Sequence, residues 1–180
     1  LVKYNKVIQK QLDITIENYK IFFGKYLVYK SNNNVKEYFC YNDKLIYEGD
    51  YLKMRRHGFG REYDCFNEKL KFEGEYLNGK RNGKGREFYF NGKISFEGLY
   101  LNDCKWNGLG YDKNNDVEYE LKEGKGYVKE YYDLVNKVQF EGEYLNGKRN
   151  GKGIEYDYKG DLIFEGEYLN GKKWNGKGYD

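Results

Sequence analysis

A nine-residue string, Phe-Glu-Gly-Glu-Tyr-Leu-Asn-Gly-Lys, occurs three times in this chain, beginning at Phe72, Phe140 and Phe164. Related strings begin at Tyr47 and at Phe96. Successive starts are separated by 25, 24, 44 and 24 residues. Self-similarity at a period of about 20 to 50 residues is the sequence signature of a repeat architecture. The chain is therefore predicted to fold as a tandem array of small, similar units.

The array contains two further units that match the pattern less well. One is a shortened unit inside the 44-residue gap, and the other is a degenerate copy that precedes the first clear unit. Residues 1–21 lie outside the repeat, and residues 22–180 form the array. Within residues 1–21, the apolar residues Leu12, Ile14 and Ile16 alternate as in a strand. Such a strand would suit a cap that closes the end of the array. The predicted units start near residues 22, 47, 72, 96, 117, 140 and 164.

Each regular unit has the pattern of a β-hairpin. In the unit that begins at Phe72, strand alternation places Phe72, Gly74 and Tyr76 on one face. Residues 78–83 then supply two Asn-Gly turn signals, since both residue types tolerate positive φ, and a second strand is predicted over 84–89. Hairpin after hairpin predicts an all-β fold, an elongated single-layer antiparallel hairpin array.

Pairs of glycines separated by one residue recur in the predicted second strands. Glycine weakens a strand unless another group approaches the bare backbone closely. The chain is rich in aromatic residues, with 22 Tyr and 11 Phe, and it contains no Pro. We expect the aromatic rings to lie flat over these glycines and to form the core. The predicted pairs are Gly58/Gly60, Gly83/Gly85, Gly108/Gly110, Gly124/Gly126, Gly151/Gly153 and Gly176/Gly178.

Composition excludes several classes of protein. Aromatic residues make up 19% of the chain, which argues against disorder. No run of about 18 apolar residues could form a membrane span, and no apolar region of a signal peptide follows Leu1. Three cysteines without Cys-x-x-Cys spacing favour a reducing, cytoplasmic location: Cys40, Cys65 and Cys104. The net charge of +3 gives no strong attraction to nucleic acid, so no nucleic-acid partner is expected.

The residues needed for catalysis are scarce, so the chain is predicted not to be an enzyme. His57 is the only histidine, which leaves no cluster for a metal and no spare base for a triad. A nucleophilic pair of Cys65 with His57 is conceivable, but His57 occupies a position that Asn82 and Asn150 fill in sister units, where a turn residue is expected. No catalytic residue, cofactor or metal is predicted.

Basic residues cluster around the first turn of several units. Stacked in register, they would form a basic stripe beside an acidic band from the Phe-Glu-Gly-Glu strands. One interpretation is mutual neutralisation with protection of strand edges by Lys. The other is attachment to anionic lipid headgroups. The candidate lipid contacts are Arg55, Arg56, Lys80, Arg81, Lys148, Arg149, Lys172 and Lys173.

The pattern Tyr/Phe-x-Gly-x-Tyr-x-x-Gly-x-x-x-Gly-x-Gly resembles the MORN (membrane occupation and recognition nexus) repeat family, in its variant subtype, over about residues 22–180. Tyr replaces the Trp common after the first glycine, and two units carry an extra turn residue beside Trp106 and Trp174. The resemblance implies a scaffold or targeting module. Similar arrays link membranes, cytoskeleton and enzymes, often form dimers, and in some cases bind phosphoinositides.

Three functional hypotheses follow. The first is a non-catalytic scaffold whose grooved aromatic face binds a partner peptide, a helix or a second copy. The second is a peripheral membrane module that recognises anionic lipids or phosphoinositides through the basic turns. The third is the targeting segment of a longer enzyme, since the chain does not begin with Met and stops within a unit. The candidate partner contacts, which could equally be core residues, are Tyr51, Tyr76, Tyr100, Tyr144 and Tyr168.

Overall fold

The structure is a computed structural model that describes residues 24–31, 33–135 and 137–179. All regular secondary structure in these residues is β-strand, and every strand pair is antiparallel. The prediction of an all-β hairpin array is confirmed. The predicted cap within residues 1–21 and the first two residues of the degenerate unit lie outside the described residues.

Fourteen strands follow one another along the chain, two for each predicted unit. They are β1 (Lys25–Tyr29), β2 (Asn34–Phe39), β3 (Leu45–Leu52), β4 (Arg55–Tyr63), β5 (Leu70–Leu77), β6 (Lys80–Phe88), β7 (Ile94–Leu101), β8 (Cys104–Tyr111), β9 (Val117–Leu121), β10 (Gly126–Tyr131), β11 (Val138–Leu145), β12 (Lys148–Tyr156), β13 (Leu162–Leu169) and β14 (Lys172–Gly178).

The strands form two sheets, each in sequence order, with nine strands in the first (β1–β9) and five in the second (β10–β14). The ribbon is interrupted between the two strands of the short central unit. The repeat pattern predicted this unit but not the interruption. There a tight turn leaves β9 and β10 joined by one isolated bridge between Lys122 and Lys125. Gly124 lies in this turn with φ +70°, so only Gly126 of the predicted pair Gly124/Gly126 lies within a strand.

The second predicted turn signal of each unit is a β-bulge and not a turn. Only residues 78–79 separate β5 from β6, and Asn82 and Gly83 lie inside β6. The register of the pair shifts between Gly74 and Tyr76, and Gly83 has φ +104°. The Asn82 side chain accepts a hydrogen bond from the Asn102 amide of the next unit. The bulge therefore orients a side chain that ties neighbouring units together.

The core is a row of aromatic rings that lie on bare glycine backbone, as the glycine pattern predicts. Phe72 is completely buried. A Cβ atom added to Gly85 would lie 2.6 Å from Cζ of Phe72 and 3.2 Å from Cδ2 of Tyr100. Phe72 packs edge-to-face against Tyr76 and Tyr100, with ring centroids 5.6 and 5.1 Å apart. This ring contact across units joins the hairpins into one continuous layer.

Two rows of turns border the ribbon. The first-turn edge comprises the turns inside the hairpins from β3 onward, at residues 52–55, 77–80, 101–104, 121–126, 145–148 and 169–172. The second-turn edge comprises the turns between hairpins, at residues 40–44, 64–69, 89–93, 112–116, 132–135 with 137, and 157–161.

Candidate functional site

Ion pairs between acidic and basic side chains run along the aromatic face and link neighbouring hairpins within each sheet. The Arg81 guanidinium donates to both carboxylate oxygens of Glu62, at 3.3 and 3.0 Å, and its remaining nitrogen lies 2.6 Å from Glu87. Arg56 and Arg149 make the equivalent contacts in their units. We name this series the charge ladder, and its members are Glu37, Arg56, Glu62, Arg81, Glu87, Lys105, Glu130, Arg149, Glu155 and Lys173.

Aromatic residues hold each member of the ladder in place. The Arg81 guanidinium lies 4.1 Å from the ring centroid of Phe72, and Arg149 lies 4.1 Å from that of Phe140. The Tyr76 hydroxyl donates to Glu62, the same carboxylate that Arg81 holds. Because a fixed carboxylate then has no spare acceptor for a ligand, the ladder is structural in character.

The electrostatics of the ladder favour its charged forms. Burial opposes ionisation of Glu37, but the hydrogen bonds and charge of Arg56 outweigh it and lower the pKa of that carboxyl from 4.5 to about 2. Burial likewise opposes ionisation of Glu87, but the charges of Lys105 and Arg81 hold its pKa below the usual range. Burial and the neighbouring Glu62 raise the pKa of the Tyr76 hydroxyl. The tyrosines that donate to glutamates of the ladder are therefore neutral.

The structure divides the predicted lipid contacts into two groups. Arg56, Arg81, Arg149 and Lys173 belong to the charge ladder, and the three arginine side chains are only about one fifth exposed. Lipid contact at these four positions stays a prediction, although their charges are already matched by carboxylates. The sequence carries a signal for this, since a Glu follows each of these arginines at a spacing of six residues, which keeps both on one strand face.

The other four predicted contacts remain exposed and make no ion pair with any residue that the structure describes. Each lies directly opposite an exposed leucine across the hairpin end. The pairs are Leu52 with Arg55, Leu77 with Lys80, Leu145 with Lys148 and Leu169 with Lys172.

A leucine also occupies this position in the unit of β7 and β8, where Leu101 lies opposite Cys104. The five leucine side chains are 41–49% exposed. The first-turn edge therefore presents a row of apolar and basic side chains.

This row continues across the break between the two sheets. The Gly79 amide donates to the carbonyl of Arg56 in the preceding unit at 2.8 Å, and equivalent bonds join later turns. In the short unit the Gly124 amide donates to the Trp106 carbonyl at 2.7 Å. The Gly124 carbonyl in turn accepts a hydrogen bond from the Gly147 amide at 2.8 Å. Leu121 is buried, so the short unit interrupts the leucines but not the stack of turns.

The predicted partner tyrosines lie in the core. Tyr51, Tyr76, Tyr100 and Tyr168 are 3–8% exposed, and Tyr144 is half-buried. Their rings pack on neighbouring aromatic rings, and those of Tyr100 and Tyr168 also lie close to glycine backbone. The charge ladder lies along the same face. A direct partner contact at these five positions stays a prediction, and exposed side chains elsewhere are better placed for one.

The remaining candidates for chemistry are separate from one another. His57 lies within β4 beside the bulge and not in a turn, and its Nδ1 is buried without a hydrogen-bond partner among the described residues. All three cysteines are free. In residues 24–31, 33–135 and 137–179 we find neither a cluster of side chains suited to a metal ion nor a helix that could cross a membrane.

Comparison with known proteins gives one informative match. The family model of the MORN repeat matches residues 72–94 and 140–162, which are the hairpins β5–β6 and β11–β12 with the turns that follow them. No curated protein matches the chain. The solved structure of TarM is similar at a TM-score of 0.36 and 14% identity, over 71% of this chain and 23% of that chain. The chain thus spans less than a quarter of the length of TarM, and a likeness this weak says nothing about function.

Proposed function

Because this chain is a MORN-repeat protein, built from units of a family of interaction and membrane-associated modules, we propose that it is a non-catalytic docking module that binds anionic membrane surfaces through its first-turn edge. The observation that supports this most directly is the row of exposed leucines opposite exposed basic residues. Apolar and basic side chains together match a membrane interface, where the acyl boundary lies beside charged headgroups.

The row offers enough interaction energy for peripheral binding. A basic residue near an anionic leaflet contributes about 1 kcal/mol. Four positions, Arg55, Lys80, Lys148 and Lys172, project from the same edge. Successive units are about 10 Å apart, since each adds two strands. Partial burial of each leucine would add to this at about 25 cal/mol per Å².

Co-sedimentation with vesicles tests this function. Vesicles that contain phosphatidylserine and a phosphoinositide are compared with pure phosphatidylcholine at low and high salt. We expect binding only to the anionic vesicles, and weaker binding as salt rises. Reversing two exposed charges, Lys80→Glu with Lys148→Glu, should weaken binding by at least about tenfold.

The matched control reverses two charges at the opposite edge, Lys137→Glu with Lys159→Glu. This pair changes the net charge by the same amount, so it separates a local binding edge from a general charge effect. Equal weakening by both pairs, or binding that neither pair alters, would contradict the proposal.

The proposed absence of catalysis is supported by the same geometry. The one histidine lies in a strand at a bulge, and the carboxylates nearest to the aromatic core are held by arginine or lysine in the charge ladder. Attachment to a membrane is also compatible with the third hypothesis, that the chain targets a longer enzyme.

A scaffold function through the aromatic face is less well supported. A peptide that entered this face would meet Glu62 and Arg81 already bound to each other. Separating a partly buried ion pair costs several kcal/mol.

A further inference from the structure

The hairpin of the short central unit lacks two residues that the hairpin of β5 and β6 contains. The pairs that close the two turns are Leu77 with Lys80 and Lys122 with Lys125. After the turn, Gly126 is the counterpart of Gly83, because each lies opposite the tyrosine of the next hairpin. Arg81 and Asn82 precede Gly83, whereas Gly126 follows the turn directly. The short unit therefore has no counterpart of Arg81 and Asn82.

The absence of this arginine interrupts the charge ladder. Arg81 binds Glu87 of its own unit and Glu62 of the preceding unit. Glu130 is the counterpart of Glu87 in the short unit, since each lies opposite the buried phenylalanine of the next hairpin. Among the described residues, the ladder cation that binds Glu130 is Arg149 of the next unit. The short unit supplies no basic residue of its own at this position.

Glu130 consequently has one hydrogen-bond acceptor position that no described residue uses. An ionised carboxylate has about four such positions. At Glu62 the tyrosine of the next hairpin donates one hydrogen bond, the arginine of that hairpin donates two, and Arg56 makes the fourth contact at 3.0 Å. At Glu130 the next hairpin makes the same three contacts. The fourth position is the one that an arginine of the short unit would occupy.

A cleft of about 330 Å³ lies beside Glu130, between the two sheets. We name it the junction cleft. Its lining includes Lys105 and Tyr119 from the first sheet, and Glu130 and Tyr144 from the second. The ladder cations of the regular units lie over aromatic rings. The tyrosines of the junction cleft offer rings of the same kind to a cation.

The charges that line the junction cleft favour a cation. Its two basic residues, Lys105 and Lys129, are both held in ion pairs with carboxylates. Two of its four acidic residues, Asp103 and Asp133, make no ion pair with any residue that the structure describes. Together with the unused acceptor of Glu130, they leave the cleft with an excess of negative charge.

We propose that the junction cleft binds an arginine or lysine side chain of a partner polypeptide, which completes the charge ladder at the short unit. The cationic group donates to the unused acceptor of Glu130. Val128 and the tyrosine rings of the cleft provide apolar surface for the methylene groups of a long basic side chain. No ion pair within the chain has to be separated, in contrast to the rest of the aromatic face.

An NMR titration of the full, ¹⁵N-labelled chain without lipid tests the proposal. The probe is a short, blocked glycine peptide with one central arginine, and the control peptide has citrulline there, which keeps the shape but not the charge. We expect a dissociation constant below about 1 mM for the arginine peptide. The citrulline peptide should bind at least about tenfold more weakly, because charge-assisted hydrogen bonds are the stronger ones. The largest shift changes should lie at the amides of Lys105, Glu130 and Tyr144.

A pair of matched variants assigns the binding to Glu130. Glu130→Gln should weaken binding of the arginine peptide by at least about tenfold. Glu62→Gln removes the equivalent carboxylate from a regular unit, where all four acceptor positions are used within the chain. Both variants lose an arginine-bound carboxylate, so they share any general loss of stability, and Glu62→Gln should bind the peptide as the unaltered chain does.

An insertion tests the same position from the opposite direction. Insertion of Arg-Asn between Lys125 and Gly126 gives the short unit the two residues that it lacks. The inserted arginine should bind Glu130 and abolish binding of the peptide. Circular dichroism and thermal unfolding check that the variant is folded.

Several results would overturn the proposal. Equal affinity for the arginine and citrulline peptides would do so, as would the absence of shift changes at the cleft at about 10 mM peptide. Unchanged affinity in Glu130→Gln, or peptide binding by a folded insertion variant, would exclude the junction cleft as the site. None of these outcomes bears on the vesicle experiment, because the titration contains no membrane.

Discussion

The guanidinium of Arg81 lies flat against the ring of Phe72, 4.1 Å from its centroid, while its nitrogens bind Glu62 and Glu87. Phe72 in turn lies on the bare backbone of Gly85. One unit therefore stacks glycine, aromatic ring, guanidinium and carboxylate in a fixed order. Arg149 and Phe140 repeat this arrangement in the second sheet. A sheet with no second layer is covered in this way by its own side chains.

Removal of Arg81 should strongly destabilise the fold. In Arg81→Met, Glu62 and Glu87 each lose an ion pair in a partly buried site, and we expect a loss of about 3 kcal/mol in the free energy of unfolding. Urea denaturation followed by tryptophan fluorescence measures it. The neighbouring Lys80→Met is the control, since Lys80 is exposed and should change stability by less than about 0.5 kcal/mol. Equal midpoints for the two variants would show that the ladder is not stabilising.

Gly85→Ala tests the stacking of rings on glycine. The new Cβ would lie 2.6 Å from the Phe72 ring and would force it out of its place. Overpacking of this kind costs about 1–3 kcal/mol. Gly178→Ala at the end of β14 meets no atom within 4 Å and should cost almost nothing. Thermal unfolding of both variants checks the prediction, and an unchanged midpoint for Gly85→Ala would contradict it.

Stability should fall in acid because of Glu37. Its pKa is about 2 in the folded chain against 4.5 as an unperturbed group, so the unfolded state binds a proton more readily than the folded state. The stabilisation is present in full above about pH 4.5 and is lost as pH falls through about 2, amounting to roughly 3 kcal/mol. Urea unfolding at a series of pH values measures this slope. Glu37→Gln should reduce the slope in that window, and a slope identical to that of the unaltered chain would exclude Glu37 as its source.

Gly124→Ala tests the link between the two sheets. Gly124 has φ +70°, and an added Cβ would lie 3.0 Å from Cα of Asn146 in the next turn. Gly92 has φ +83° but open space around it, so Gly92→Ala shows only the backbone cost of about 1–2 kcal/mol. We expect Gly124→Ala to cost more than this, and hydrogen exchange should show β10–β14 opening more often. Similar exchange in the two variants would mean that the contact does not couple the sheets.

Periodicity predicted the repetitive part of the structure well. The hairpins, the inward placement of Phe72 and Tyr76, and the rings over glycine pairs all follow from spacing along a single strand or its direct neighbour. The turn between β5 and β6 was also recognised from residues 78–79, because Asn-Gly has a strong local preference. These features depend on a few adjacent residues, and every regular unit repeats them.

The prediction was wrong where the outcome depends on contacts between units. Residues 82–83 have the composition of a turn, yet they form a bulge because the hairpin is already closed at Gly79. Arg81 has the position of a surface cation, yet it turns onto Phe72 and takes Glu62 from the preceding unit, 19 residues away. Charge alone does not separate Arg81 from the adjacent Lys80, which faces the opposite side of the strand. The glutamate six residues after Arg81 is the signal that does.

The amino-acid sequence by itself determined the number of units, the hairpin in each one and the face that each aromatic ring occupies, because strand alternation and turn chemistry act over short distances. Only the tertiary structure decided which charges neutralise one another, where the sheet divides and which apolar side chains stay exposed. The difference between the buried Tyr76 and the exposed Phe66 arises from stacking. The ring of Tyr76 packs between those of Tyr47 and Phe72 in neighbouring strands, whereas no strand covers Phe66 in its turn.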